Sequence, residues 1–179
     1  GGLKASVGTG AEDIKGGAGA DTITLNTGVK TADFGAGNDV VTTAAVAATA
    51  AGSVKGGDGD DTLVIAATTD INDATKGAKY TGFETIRTAV DQNVSYVSGI
   101  TSVTVQSTAA ITGGITISGL SSAQANALNV NTEVDGDFTV TLADATGSAD
   151  SVTINATSAT ATSNVNVEDI DIQGVETLT

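Results

Sequence analysis

Apolar positions are thinly spread along this chain, and where they gather they alternate with threonine at a period of two. The early examples are Thr22-Ile23-Thr24, Val40-Val41-Thr42 and Thr62-Leu63-Val64. Later ones are Val103-Thr104-Val105, Ile115-Thr116-Ile117, Phe138-Thr139-Val140-Thr141-Leu142, Val152-Thr153-Ile154 and Val165-Asn166-Val167. Side chains on a strand point alternately to its two faces, so this pattern predicts short, half-buried β-strands. Threonine and the β-branched apolar residues suit a pleated surface. The later strands recur at intervals of roughly 12 residues, broken by Gly, Ser, Asn and Asp, which suits a β-sandwich or a β-solenoid. The absence of proline, together with the repeats described next, favours the solenoid. The one helix candidate is 121–128, where Ser121 or Ser122 can cap a short turn. Residues 67–79 are polar and aperiodic and read as a surface loop.

The first three apolar triplets each follow a turn of one composition. Gly16-Gly17-Ala18-Gly19-Ala20-Asp21, Gly35-Ala36-Gly37-Asn38-Asp39 and Gly56-Gly57-Asp58-Gly59-Asp60-Asp61 all end on an acid directly before the strand. The pattern is the nonapeptide G-G-x-G-x-D-x-U-x, with U a large apolar residue, a repeat associated with calcium-binding parallel β-helices. A single Gly-Asp turn is most often an ordinary β-turn. Three of them in or near register outweigh that reading. Asp21 and Asp39 are 18 residues apart, or two repeats. If each nonapeptide makes one turn and one strand, two of them close one circuit, and turns 18 residues apart stack about 4.8 Å from each other. Glycine permits positive φ and lets carbonyls turn inward. Asp21 and Asp39 with carbonyls of Gly17, Gly19, Gly35 and Gly37 then make an oxygen cage of about six ligands, suited to Ca²⁺ and too loose for Mg²⁺.

Asp61 follows Asp39 by 22 residues, four more than one circuit. The surplus lies in the alanine-rich residues 44–51, expected to bulge as a loop before Val54-Lys55 rejoins the pattern. A second calcium between these turns would add Asp61, Gly57 and Gly59 to the ligands. Flanking repeats are weaker. Residues 7–15 carry Glu12 in the acidic slot and Ile14 in the apolar one, while residues 25–33 keep Gly28 but place Lys30 in the acidic slot. The edge that sets Glu12 against Lys30 is expected to hold no strong site, and metal binding by Glu12 stays open.

Composition restricts the function classes. With 3% aromatic residues, a core must be built in thin layers of Val, Ile, Leu and Ala, as in stacked repeats. There is no cysteine and no histidine, so catalytic thiols, disulfides and Cys/His zinc sites are excluded. The lack of cysteine fits an exported protein that folds without oxidation. Net charge is −14, and all seven basic residues lie at or before Arg87, leaving ten acids and no base in 88–179. Such a surface repels nucleic acid and anionic membranes and attracts divalent cations, although solubility or salt tolerance explains it equally well. No apolar run of 18 residues is present, so no membrane insertion is expected. Lacking a leader at Gly1, the sequence reads as a piece of a longer chain.

Gly82-Phe83-Glu84-Thr85-Ile86 recurs as Gly174-Val175-Glu176-Thr177-Leu178. One carboxylate per copy, with no histidine and no paired acid, makes poor catalytic equipment. The expected arrangement has glycine turning the chain, apolar residues entering the core and Glu at a strand start. Asp144 and Asp150 flank a further turn, read slightly more readily as a loop than as a cation site.

These turns, the two Gly-x-Glu-Thr blocks and Thr141-Leu142-Ala143-Asp144-Ala145-Thr146-Gly147 resemble RTX-type bacterial surface-layer (S-layer) proteins. The likeness runs from about Gly16 to Thr179, with specific motifs only in the first 86 residues. It implies an all-β fold, a right-handed parallel β-roll or β-solenoid with glycine-aspartate calcium-binding turns. Residues 1–66 would form the calcium-binding roll, 67–79 a surface loop, and 80–179 a continuing solenoid. It further implies export by a type I system, an extracellular cell-surface location and calcium-dependent self-association into a two-dimensional lattice. By the same resemblance the metal ligands are Asp21, Asp39 and then Asp61, with glycine-turn carbonyls around them. The alternatives are an RTX adhesin or biofilm-matrix segment, or the accessory calcium coil of a secreted enzyme. The chain itself is not expected to be an enzyme: it has no HExxH or GxSxG motif, and carboxylate-only glycosidase chemistry would need two convergent acids.

Overall fold

The computed structural model describes residues 1–6, 12–26, 28–44, 52–144, 146, 150–158, 165–173 and 177–178. Among these the chain is mostly short parallel strands with two one-turn α-helices and one 3-10 turn, Val94–Tyr96. It forms two compact units, residues 1–86 with 96–100, and residues 87–95 with 101–179.

In the first unit successive strands alternate between two parallel sheets. One sheet takes Lys4–Ser6, Thr22–Thr24, Val40–Thr42 and Thr62–Ile65, followed in order by Thr85–Thr88. The other takes Glu12–Gly17, Val29–Gly35, Ser53–Lys55 and Tyr80–Thr81. The three triplets anticipated as strands pair in the anticipated register, Ile23 opposite Val41 and Val41 opposite Leu63. Their side chains are 1%, 0% and 0% exposed. Phe34, Val54, Tyr80, Phe83 and Ile86 are buried with them. Fully burying a side chain of this size contributes about 1.5–3 kcal/mol, and each rung of this unit buries only a few of them.

Two details differ from the sequence reading. Glu12 stands opposite Val29, not Lys30, because the register slips by one residue before Asp13 pairs with Thr31. The slip is a bulge: it sends Val29 into the core and leaves Lys30 and Thr31 both outside. Within 67–79, Asp70, Ile71 and Gly77 are buried, and Ala74–Gly77 forms a helical turn capped by the Asp73 carboxylate. Nearly all of the expected loop at 44–51 and much of the 7–15 repeat lie outside the described residues.

The second unit is also parallel. Ser102–Val105, Leu128–Val130 and Ile154–Ala156 pair in order. Val134–Leu142 pairs with Ile115–Leu120, Ile111–Thr112 and Val167–Gln173, and Gln92–Asn93 pairs with Ile115–Leu120. The anticipated helix is Ser122–Ala125, with Ser121 as cap and Gln124 completing a capping box. Leu128 begins a strand instead of ending that helix, and the strand expected at 165–167 starts at Val167 and runs to Gln173. Val103, Val105, Ile117, Leu128, Val130, Val134, Phe138 and Val140 are all fully buried.

Candidate metal centre

Each of the three glycine-rich segments ends on a buried carboxylate. Asp21, Asp39 and Asp61 are 3%, 1% and 0% exposed, although acids are rarely buried without a partner. Each stands directly before a strand of the first sheet, so pairing Thr22 with Val40 and Val40 with Thr62 sets the three acids in one column. Every acid is tied to the rung before it. Leu3 N–H donates to Asp21 Oδ1 at 2.6 Å, Asp21 N–H to Asp39 Oδ1 at 2.7 Å, and Asp39 N–H to Asp61 Oδ1 at 2.7 Å. A fourth acid closes the column: Asp61 N–H donates to Glu84 Oε2 at 2.8 Å.

These bonds satisfy one oxygen of each aspartate. The other, Oδ2, is buried without a hydrogen-bond partner in Asp21, Asp39 and Asp61 alike. Leaving a buried polar atom unpaired costs about 1–3 kcal/mol, and more when it is charged. Three such atoms in one column call for protons or cations. Burial pushes the Asp39 and Asp61 carboxyls above the usual range. The amide of the preceding rung partly offsets this, and neighbouring acids of the column push them further up.

Carbonyl oxygens stand beside two of the orphaned atoms. A Cβ placed on Gly16 would meet Asp21 Oδ2 and the Phe34 carbonyl oxygen, both at 2.2 Å. One placed on Gly56 would meet the Gly82 carbonyl oxygen at 1.9 Å and Asp61 Oδ2 at 2.6 Å. Only glycine, with no Cβ, lets a carboxylate oxygen and a carbonyl oxygen of the next rung both pack this closely against one Cα. Convergent hard oxygens of this kind suit calcium.

The turns themselves stack at backbone contact. Gly57 has φ of 126°, and a Cβ there would lie 2.0 Å from the Gly35 oxygen; Gly35 has φ of 93° and crowds the Gly17 oxygen in the same way. Gly37 lies over Gly19, and Gly59 over Gly37. Gly17 and Gly19 do not share the positive φ of the later turns. Gly17 is still extended there, as the last residue of the strand Glu12–Gly17. The carbonyls of Gly17 and Gly35 accept the amides of Ala36 and Asp58 at 2.8 Å, which engages one lone pair of each. The carbonyls packed against the orphaned carboxylate oxygens are instead those of Phe34 and Gly82.

Among the described residues no three acidic, histidine or cysteine side chains converge as a group. A cation in the column would therefore rely on one or two carboxylates, with carbonyls and water completing its shell. Outside the column, Asp70 likewise keeps one buried oxygen, Oδ1, without a hydrogen-bond partner, whereas several other acids are engaged locally. Asp13 accepts the Thr31 hydroxyl at 2.6 Å. Asp144 is exposed and accepts both the Thr146 hydroxyl and amide, which hold its carboxyl below the usual range. Asp150 is buried and accepts the Ser122 hydroxyl at 3.1 Å.

Sequence reasoning missed Glu84 as a column member, and it missed Phe34 and Gly82 as carbonyl donors. Phe34 was within reach, because it lies 18 residues after Gly16 in the same repeat slot. Gly82 and Glu84 were hidden by a shortened turn. Comparison with protein families, characterised proteins and solved structures finds no match to this chain.

Proposed function

We propose that this chain is a calcium-binding structural module of a secreted, self-assembling bacterial surface layer, built as a right-handed parallel β-solenoid of the RTX kind. The observation that carries the reading is the column of Asp21, Asp39 and Asp61, each with one buried oxygen bound to a backbone amide and one buried oxygen left over. A proton or a cation is needed for each leftover oxygen, and the closely stacked glycine backbone brings carbonyl oxygens near two of them. Asp21 and Asp39 hold the first calcium, and Asp39 and Asp61 the second, with turn carbonyls around them. The role is structural and not enzymatic, since the sequence holds no histidine or cysteine and the buried acids are engaged in backbone order.

Assembly is supported by the second unit. Asp137 and Asp169 stand directly opposite each other on neighbouring strands, both exposed. Like charges in that position repel. A divalent cation, or a cation-bridged second copy, relieves that repulsion, which accords with self-association in calcium outside the cell. Among the described residues no helix is long and apolar enough to cross a membrane. The reading is tested by calorimetric titration of the chain with calcium and with magnesium, followed by electron microscopy of the loaded protein. Saturable binding of calcium but not magnesium, near the roughly 10⁻⁴–10⁻³ M typical of extracellular modules, and ordered two-dimensional arrays are expected. No saturable calcium binding at those concentrations contradicts it.

A further inference from the structure

The rung at Tyr80–Thr88 departs from the nonapeptide. Val54 pairs with Tyr80 and Lys55 with Thr81, so Gly82 comes into step with Gly56. From Gly56 the column acid arrives five residues later at Asp61; from Gly82 it arrives two residues later at Glu84. The turn has lost three residues, yet the sheet resumes in register. Thr85 N–H donates to the Asp61 carbonyl at 3.0 Å, as Thr62 N–H does to Asp39 and Val40 N–H to Asp21 at 2.8 Å. Gly82 makes the sharp bend with φ of 67°, and Phe83 is fully buried beneath it. A glutamate replaces aspartate here. Its extra methylene lets the carboxylate reach back to the Asp61 amide from the shorter turn.

We propose that the gap between Asp61 and this shortened turn is a further divalent-cation position, formed by Asp61 Oδ2, the Gly82 carbonyl and the Glu84 carboxylate. The proposal rests on the calcium reading above and extends it to a rung that has no glycine-aspartate repeat. One observation points to a ligand here, and another rung repeats it. Asp61 Oδ2 is buried and partnerless, and it packs with the Gly82 carbonyl oxygen against the same glycine, Gly56. The same carboxylate-carbonyl arrangement recurs at Asp21 and Phe34 over Gly16. With three turn residues gone, fewer carbonyls are available and water completes the shell, so this position binds a hard, oxygen-seeking cation such as calcium more weakly and fills last. Its occupancy ties the acid column to the strand Thr85–Thr88 and to Phe83 in the core.

The test is calcium binding by the full chain and by Glu84→Gln, which keeps an acceptor for the Asp61 amide while removing the charge. The variant is expected to bind one fewer calcium per chain, with the tighter sites unchanged. In the unaltered chain, amide resonances of Asp61, Gly82 and Glu84 should shift only during the last calcium equivalent, after those of Asp21 and Asp39. Equal stoichiometry and affinity in Glu84→Gln overturn the proposal and leave the Asp21–Asp39 site standing. Should the variant fail to fold, the resonances decide: Gly82 and Glu84 amides that never respond while Asp21 and Asp39 do overturn it as well. A chain that binds no calcium at all overturns the parent reading and this one with it.

Discussion

The two units use the same parallel pairing but differ in where most of their strand-borne carboxylates lie. In the first, Asp21, Asp39 and Asp61 are buried behind glycine turns, one above another. In the second, Asp135 and Asp137 are exposed on a strand whose other face buries Val134, Phe138 and Val140; Asp169 and Asp171 are exposed on its neighbour, and Asp150 is buried. An exposed acid keeps its water and costs the fold little. A buried one must be neutralised or paired. The second unit is therefore expected to stand on its apolar core, and the first to depend on what fills its column.

The largest effects come from cutting each core. Leu63→Ala and Leu128→Ala should each cost about 2–5 kcal/mol, since both side chains are fully buried. Urea unfolding followed by far-UV circular dichroism separates them. Excess calcium should recover about 2.7 kcal/mol at a hundredfold excess over the dissociation constant for Leu63→Ala and much less for Leu128→Ala. Equal recovery in both would erase the distinction between the units.

Next come the column acids. Asp21→Ala and Asp39→Ala should each weaken calcium at least about tenfold, or about 1.4 kcal/mol, and the double variant should lose little more than either single one because they share a site. Additive losses in calorimetry would mean separate sites.

A smaller effect is expected from pH. Asp39 and Asp61 hold protons more tightly folded than unfolded, since burial raises both above the usual 3.8. The folded, metal-free chain then binds more protons than the unfolded chain between the usual and the raised values. Its stability is fully present below 3.8 and falls as pH rises through the raised values. Thermal melts in chelator between pH 4 and 7 should show that fall, and calcium should reverse it. Smallest of all, Asp144→Ala should leave calcium stoichiometry unchanged, because Thr146 already satisfies that exposed carboxylate.

Much of this contrast was legible in the sequence, and for a physical reason. The triplets around Ile23, Val41 and Leu63 carry period-two alternation, and the spacing of Asp21 and Asp39 fixes which strands pair. Parallel pairing converts an 18-residue count directly into adjacency. The count fails where the chain adds or deletes residues without leaving a periodic trace. The bulge at Lys30 moves Glu12 opposite Val29, and the deletion between Gly82 and Glu84 conceals the fourth column acid. Asp70 was unreadable for another reason. It lies in an aperiodic polar stretch, yet it is buried and accepts the Thr43 hydroxyl and the Ala67 amide, contacts that only the folded chain creates. In 167–173 the alternation of Ile170 and Ile172 with acids was present but overlooked beside Val165-Asn166-Val167.

The central claim is that residues 1–66 fold on calcium, and circular dichroism through one cycle of chelation and calcium return tests it most directly. Few large apolar groups and a column of buried acids cannot offset chain entropy of about 1–2 kcal/mol per residue while those acids repel one another. Excess chelator should remove a substantial part of the β-signal, leaving the share of the second unit, and millimolar calcium should restore it. A β-spectrum unchanged in excess chelator would contradict the account, showing that the aspartate column is stable in a fold that needs no cation.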